Sequence, residues 1–242
     1  MKIKKLVILN IILLIALAII TFKEDYHKWA IYKINSKLSS EKTSLNSNWE
    51  YKHETELYKY YNKEGSIVML GNSITYRANW NELLNRNDII NRGIGNDLTE
   101  GMVNRLESVI NVNPKICFVM GGVNDINKGI SPEIIASNIN TIIKKLTENG
   151  IKPKIFSIIH VSETFPDFKN VNIEITQTNN LIRNLCSANS VNFIDLNLSL
   201  SKNNKLKEEY SFDGIHLSAL GYNKWKDVIT PIIAQELSLQ TD

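Results

Sequence analysis

The chain has 242 residues, 43% hydrophobic and 22% charged, which is ordinary globular composition and length for one sizeable core rather than two. Its net charge of +3 is small, with Lys scattered among Glu and Asp, so no basic stripe for nucleic acid is present. No Gly-rich phosphate loop, zinc-type Cys/His spacing or heptad run occurs, which leaves no motif for a nucleotide, a metal or a coiled coil.

Lys2, Lys4 and Lys5 precede an almost unbroken apolar run from Leu6 to Phe22. A membrane span takes roughly 20 residues, with a lower limit of about 17. Lysines ahead of the run, against a mixed Lys23-Glu24-Asp25 behind it, predict an anchor whose N-terminus stays inside while the rest is translocated. The rival is a signal peptide cut after Ala16-Leu17-Ala18, giving a secreted protein. Cleavage there would leave Ile-Ile-Thr-Phe at the new N-terminus, which favours the anchor. The Lys-, Ser- and Asn-rich stretch 23–48 reads as a polar tether. The expected organisation is therefore an anchor over 1–22, a tether over 23–48 and one domain over 49–242.

A helix is expected from Trp49 to Glu64, with Leu57, Tyr58 and Tyr61 on one side. Strand-sized apolar runs follow at 66–71, 88–92, 115–121, 153–160 and 191–196. Between them Leu98, Met102, Leu106 and Ile110 recur with a helical period, as do Ile135, Ile139, Ile142, Ile143 and Leu146. The second of these has Ser131 and Pro132 as its start. A last helix carries Tyr222, Trp225, Ile229, Ile232 and Ile233, with a kink expected at Pro231. Alternation of this kind predicts an α/β fold, a five-stranded parallel sheet covered on both faces. Cys117 and Cys186 fall within apolar patterns and read as buried small hydrophobes, although a single disulfide between them stays open.

Ligands of such sheets bind beyond the carboxyl ends of the strands. Four stretches stand at those tips or just before the last helix: "GNSIT" with Ser73, "NRGIGNDLT" over 91–99, "GGVND" over 121–125, and "FDGIHLSALGY" with Asp213-x-x-His216. Each alone is ordinary turn chemistry. In this order, over residues 66 to about 237, they resemble the SGNH hydrolases, also called the GDSL-type esterases. Thr75 stands where the second glycine of a G-x-S-x-G elbow would be, and the serine follows the first strand, which argues against an α/β-hydrolase.

The resemblance implies a three-layer α/β/α sandwich of flavodoxin type, with Ser73 as nucleophile, His216 as its base and Asp213 holding the imidazole. It further implies an oxyanion site made by the Ser73 N–H, the Asn124 side-chain amide and a backbone N–H of the second block. Asn96 replaces the glycine usual before Asp97, so the donor is Asn96, with Gly95 one place earlier as the alternative. Asn72 stands where the family often has Asp. His160, at the tip of the fourth strand, is a candidate for the substrate pocket. Arg92 and Asp97 are expected to brace the second-block loop, Tyr76 and Trp80 to serve core, rim or substrate platform, and His27 and His53 to be surface residues.

The implied activity is hydrolysis of a small O-acyl ester, such as an O-acetyl group on a carbohydrate or cell-envelope polymer, with no metal or cofactor. The partners expected are that small-molecule or polysaccharide ester and, through the N-terminal run, a membrane; nucleic acid is not among them. Two rivals stand beside it: an acyltransferase using the same triad, and a non-catalytic carbohydrate-binding relative. Against the second, a binding module has no reason to keep an Asp-His pair beside a serine.

Overall fold

The computed structural model describes residues 48–61 and 63–238. The expected anchor at Leu6–Phe22 and nearly all of the tether lie outside the described residues. Among those described, no helix is long and apolar enough to cross a membrane.

Five parallel strands form one sheet in the order β2-β1-β3-β4-β5: β1 Ile67–Gly71, β2 Ile89–Gly93, β3 Ile116–Met120, β4 Lys152–Phe156 and β5 Asn192–Ile194. Every residue of β1 and of β3 is buried. A parallel sheet buried on both faces needs continuous apolar runs rather than alternation, which is what these segments supply. The helices are α1 Trp49–Tyr58, α2 Ser73–Tyr76, α3 Trp80–Leu83, α4 Thr99–Asn104, α5 Glu107–Ile110, α6 Val123–Asn127, α7 Pro132–Glu148, α8 Phe168–Ala188, α9 Asn197–Leu200 and α10 Ala219–Ser238. A short hairpin, β6 Ser201–Lys202 and β7 Lys205–Leu206, precedes the last loop.

The chain leaves β1 for β2 on one side and returns to β3 on the other, so the order reverses beside β1. Gly71 pairs with Gly93 of β2 and with Met120 of β3. The three strands therefore end at one level, and the loops holding Ser73, Asn96 and Asn124 start together at the crevice where such sheets bind ligands.

Several expected boundaries shift. The fourth strand stops at Phe156 rather than running to His160. Side-chain amides take over there: Asn179 both donates to and accepts from the Ile158 backbone, Asn172 does the same at Val161, and Asn197 accepts from His160 N. Buried backbone can leave a sheet only when its polar groups find other partners. The helical pattern at 98–110 is two short helices broken at Arg105, and the first helix ends at Tyr58, not Glu64. Pro231 lies within a single assigned helix, α10. Cys117 and Cys186 are both buried and free, which removes the disulfide.

The core beneath the Ser73 loop is aromatic. Trp80 meets Trp225 edge-on at 4.9 Å, Trp225 meets Phe156 at 5.1 Å, and Phe156 stacks on Phe118 at 5.3 Å between centroids. Trp80 is thus core and not a substrate platform, whereas Tyr76 is exposed.

Candidate active site

Gly71 and Gly93 let the turn after β1 sit tight against the sheet. A Cβ on Gly71 would lie 2.1 Å from Thr75 Oγ1, and one on Gly93 only 2.3 Å from the Tyr76 backbone nitrogen. That close approach lets Asn72 cap α2, its Oδ1 accepting from Ile74 N at 3.0 Å, and sets Ser73 at the head of the helix. The far side of the turn is fixed by three donors: Trp80 Nε1 to Thr75 O, Tyr222 OH to Ile74 O, and Asn91 Nδ2 to the carbonyls of Tyr76 and Ala78.

Ser73 Oγ lies 3.0 Å from His216 Nε2, and His216 Nδ1 lies 2.5 Å from Asp213 Oδ2. Asp213 is ordered by its own turn, since Oδ1 accepts from the backbone N–H of Ile215 at 3.1 Å and of His216 at 2.7 Å. Gly214 makes the turn possible at φ 91°. Ser211 Oγ accepts from Gly214 N and donates to His216 O, closing the loop on itself. Burial alone would raise the Asp213 pKa, but the hydrogen bonds from His216 and Ile215 outweigh it and hold the carboxyl below its ordinary value. A carboxylate on Nδ1 fixes the tautomer with the proton on that nitrogen. Nε2 then presents a lone pair to the serine hydroxyl.

The second block follows directly on β2. Asn96 is left-handed at φ 57° and exposed, a conformation that Asn tolerates better than most residues. Gly95 is buried instead, its carbonyl accepting from Asn48 Nδ2 at 3.0 Å, and a Cβ there would lie 1.9 Å from Glu50 Oε2. Asn124 Nδ2 donates to the carbonyl of Asp97 at 2.9 Å, which spends one of its two N–H bonds and ties the third block to the second. Among the described residues none accepts a hydrogen bond from the backbone N–H of Ser73 or of Asn96.

Asp97 does brace its loop, but its cation is Arg105, which donates from Nε to Asp97 Oδ2 at 2.8 Å and from its two terminal nitrogens to the carbonyls of Arg92 and Gly71. Arg92 contributes its backbone there, while its guanidinium donates to Ser108 O and covers the Tyr58 ring at 4.4 Å. Asp125 is fully buried and accepts from the Thr99 N–H and hydroxyl, the latter at 2.6 Å. Burial pushes its pKa up to about 6, against the opposing pull of the Thr99 hydrogen bonds. Sequence reasoning missed Asn48, Asn91, Thr99 and Arg105 as supports of the site, because each acts through tertiary contacts that no short motif encodes.

His160 stands apart from the triad. Its ring nitrogens lie 3.2 Å from the hydroxyls of Ser201 and Thr176, and burial lowers its pKa. It lines a polar cavity of about 330 Å³ together with Arg183, Asp195 and Asn197, with none of Ser73, Asp213 and His216 in the wall. Among the described residues no group of three His, Cys, Asp or Glu side chains is arranged to hold a metal ion.

Proteins similar to this chain are known. N-acylneuraminate cytidylyltransferase of Streptococcus agalactiae serotype V is 29% identical over 158 residues, which take in 65% of this chain and 36% of that protein. The match thus spans about a third of that relative's length, 36%. Platelet-activating factor acetylhydrolase IB subunit alpha1 of Homo sapiens is 26% identical over 171 residues, 66% of this chain and 71% of that one. A solved structure from Streptococcus pneumonia superposes with a TM-score of 0.71 at 27% identity, covering 78% of this chain and 96% of that chain. Residues 69–224, which run from β1 through the Asp213–His216 loop, match the GDSL-like lipase/acylhydrolase family. The chain belongs to that family, the SGNH hydrolases that its four strand-tip stretches resemble.

Proposed function

We propose that the protein is a serine esterase acting through an acyl-enzyme, on the strength of one observation: the unbroken run from Ser73 Oγ through His216 to Asp213. Ser73 Oγ bonds to the ester carbonyl carbon while its proton passes to His216 Nε2. Negative charge that collects on the carbonyl oxygen faces the N–H groups of Ser73 and Asn96 and the Asn124 amide. The C–O bond to the alcohol breaks, and the departing oxygen takes the proton from His216. Water then attacks the acyl carbon, gives its proton to the same nitrogen, and the acid leaves as Ser73 recovers its hydrogen. Asp213 stabilises the imidazolium in both halves without itself taking the proton.

For the substrate, the reading is a small acyl group, acetyl above all. It is supported by the name of the human relative, an acetylhydrolase. An anchored enzyme outside the cytoplasmic membrane would meet such esters on carbohydrates or envelope polymers; that location rests on the lysines and apolar run at the N-terminus.

The test is turnover of acetyl, butyryl and longer aryl esters, with and without sugar acceptors. Ser73→Ala and His216→Ala should each cost several orders of magnitude, and the double variant scarcely more, because residues acting as one unit are non-additive. Asn124→Ala should lower kcat by roughly 100- to 1000-fold with little change in KM. Wild-type rates in either triad variant would remove the assignment, and product seen only with an acceptor would make the protein a transferase.

A further inference from the structure

Asn48 works in two directions at the start of α1. Its Oδ1 accepts from Tyr51 N at 3.2 Å, capping the helix, and this forces Nδ2 to face the second block, where it donates to Gly95 O at 3.0 Å. The carbonyl of Gly95 and the N–H of Asn96 belong to one trans peptide unit, in which the C=O and N–H bonds point in opposite directions. Fixing the carbonyl therefore fixes the aim of the N–H. The peptide is one that needs fixing: Gly95 carries no Cβ to restrict it, and Asn96 sits in the left-handed region. Rotating that single unit would turn the N–H away while barely moving the rest of the chain.

We propose that Asn48 is a positioning residue for the oxyanion site, holding the Gly95 carbonyl so that the Asn96 N–H points at the substrate oxygen. The inference rests on the oxyanion role given to Asn96 above. Tyr58 and Tyr51 of the same helix tie the loop at either side, through hydrogen bonds of 3.2 Å to the carbonyls of Gly93 and Gly101. Alternate carbonyls along the loop, at 93, 95 and 97, are thus each held by a side chain: Tyr58, Asn48 and Asn124. Two of the three come from a segment ahead of the family-matched residues 69–224.

Asn48→Asp separates the brace from the cap. Aspartate caps a helix as well as asparagine does, but it sets an acceptor oxygen against the Gly95 carbonyl where a donor stood. In the full-length chain assayed on p-nitrophenyl acetate, kcat should fall roughly 10- to 100-fold at nearly constant KM. The rate at which a fluorophosphonate labels Ser73 should fall in step, since that reaction also builds charge on an oxygen facing the same donors. Lys52→Gly, which weakens α1 without touching the loop, should leave both rates unchanged. An unchanged kcat in Asn48→Asp, with Asn124→Ala still crippled, overturns the inference and spares the oxyanion reading. Lys52→Gly losing as much as Asn48→Asp also overturns it, because helix stability and not the amide would then matter. Wild-type rates in Asn124→Ala and Ser73→Ala, or a wild-type chain that the fluorophosphonate does not label, would bring down the reading beneath it.

Discussion

Replacing Arg105 by Met should destabilise the fold by about 3–5 kcal/mol, because it strands a buried carboxylate without its counter-charge. The Arg105 and Asp97 side chains are 2% and 0% exposed, so water cannot take the place of either partner. The guanidinium also donates to the carbonyls of Arg92 at 2.8 Å and of Gly71 at 3.0 Å, and Met leaves both without that donor. Each unsatisfied buried acceptor adds about 1–3 kcal/mol, offset in part because the Gly71 carbonyl still accepts from Ile94 N. Asp97→Asn in the same chain removes the stranded charge and keeps an oxygen for Leu98 N. The double variant should therefore recover about 1–3 kcal/mol of the loss. Urea unfolding followed by the fluorescence of Trp80 and Trp225, both buried, reads these differences as shifts in midpoint at constant slope. A loss under about 1 kcal/mol in the single variant, or a double variant less stable than Arg105→Met alone, would refute the reasoning.

Two further outcomes follow from the same geometry and from the N-terminus. Asp125 is held at about 6 by burial, against 3.8 ordinarily, so the folded chain keeps a proton that the unfolded chain has lost; this contribution is full below about pH 4 and falls by about 3 kcal/mol as pH rises to about 6. Unfolding midpoints across pH 4–7 should show that decline, and Asp125→Asn should flatten it; identical pH profiles in the two proteins would contradict it. The full-length chain should sediment with membranes and resist high-salt extraction, because burial of the Leu6–Phe22 run is not screened by salt. A soluble mature form beginning after Ala18 would instead establish a signal peptide.

Much of the fold could be read from periodicity alone. The strands β1, β2 and β3 fall within a residue of the runs that announced them, because a strand buried on both faces must be apolar throughout. Asp213-x-x-His216 was legible only through the family resemblance, and the structure adds that a local turn brings Asp213 to the His216 backbone N–H and ring at once. What stayed hidden depends on distant partners. Nothing in "KPKIFSIIH" says that ladder bonding ends at Phe156, since the amides that replace it come from α8 and from Asn197. The hairpin after α9 went unseen although Lys202-Asn203-Asn204-Lys205 is a turn signal, with both asparagines left-handed as the favoured two-residue hairpin turn requires. Arg105 looked like one more residue on an amphipathic helix, yet the helix breaks there and its side chain turns inward to Asp97.

The abundance of asparagine, which composition alone assigns to no function, has a physical use in this site. An amide side chain both donates and accepts, so it can satisfy exposed backbone on two sides of a loop, and it carries no charge whose burial must be offset. Asn91 accepts from Gly93 N and donates to the carbonyls of Tyr76 and Ala78, joining β2 to the end of the helix that Ser73 opens. Asn172 and Asn179, on one face of α8, each close a two-bond ring with the chain beyond β4. Asn48 and Asn124 each hold a carbonyl of the second block. A catalytic loop at a strand tip has left the ladder that satisfied its backbone, and it must be rigid to within fractions of an ångström for the chemistry to proceed. Charged braces could supply the same bonds only at the cost of desolvation, as the Asp97–Arg105 pair illustrates. Neutral amides supply them without that cost.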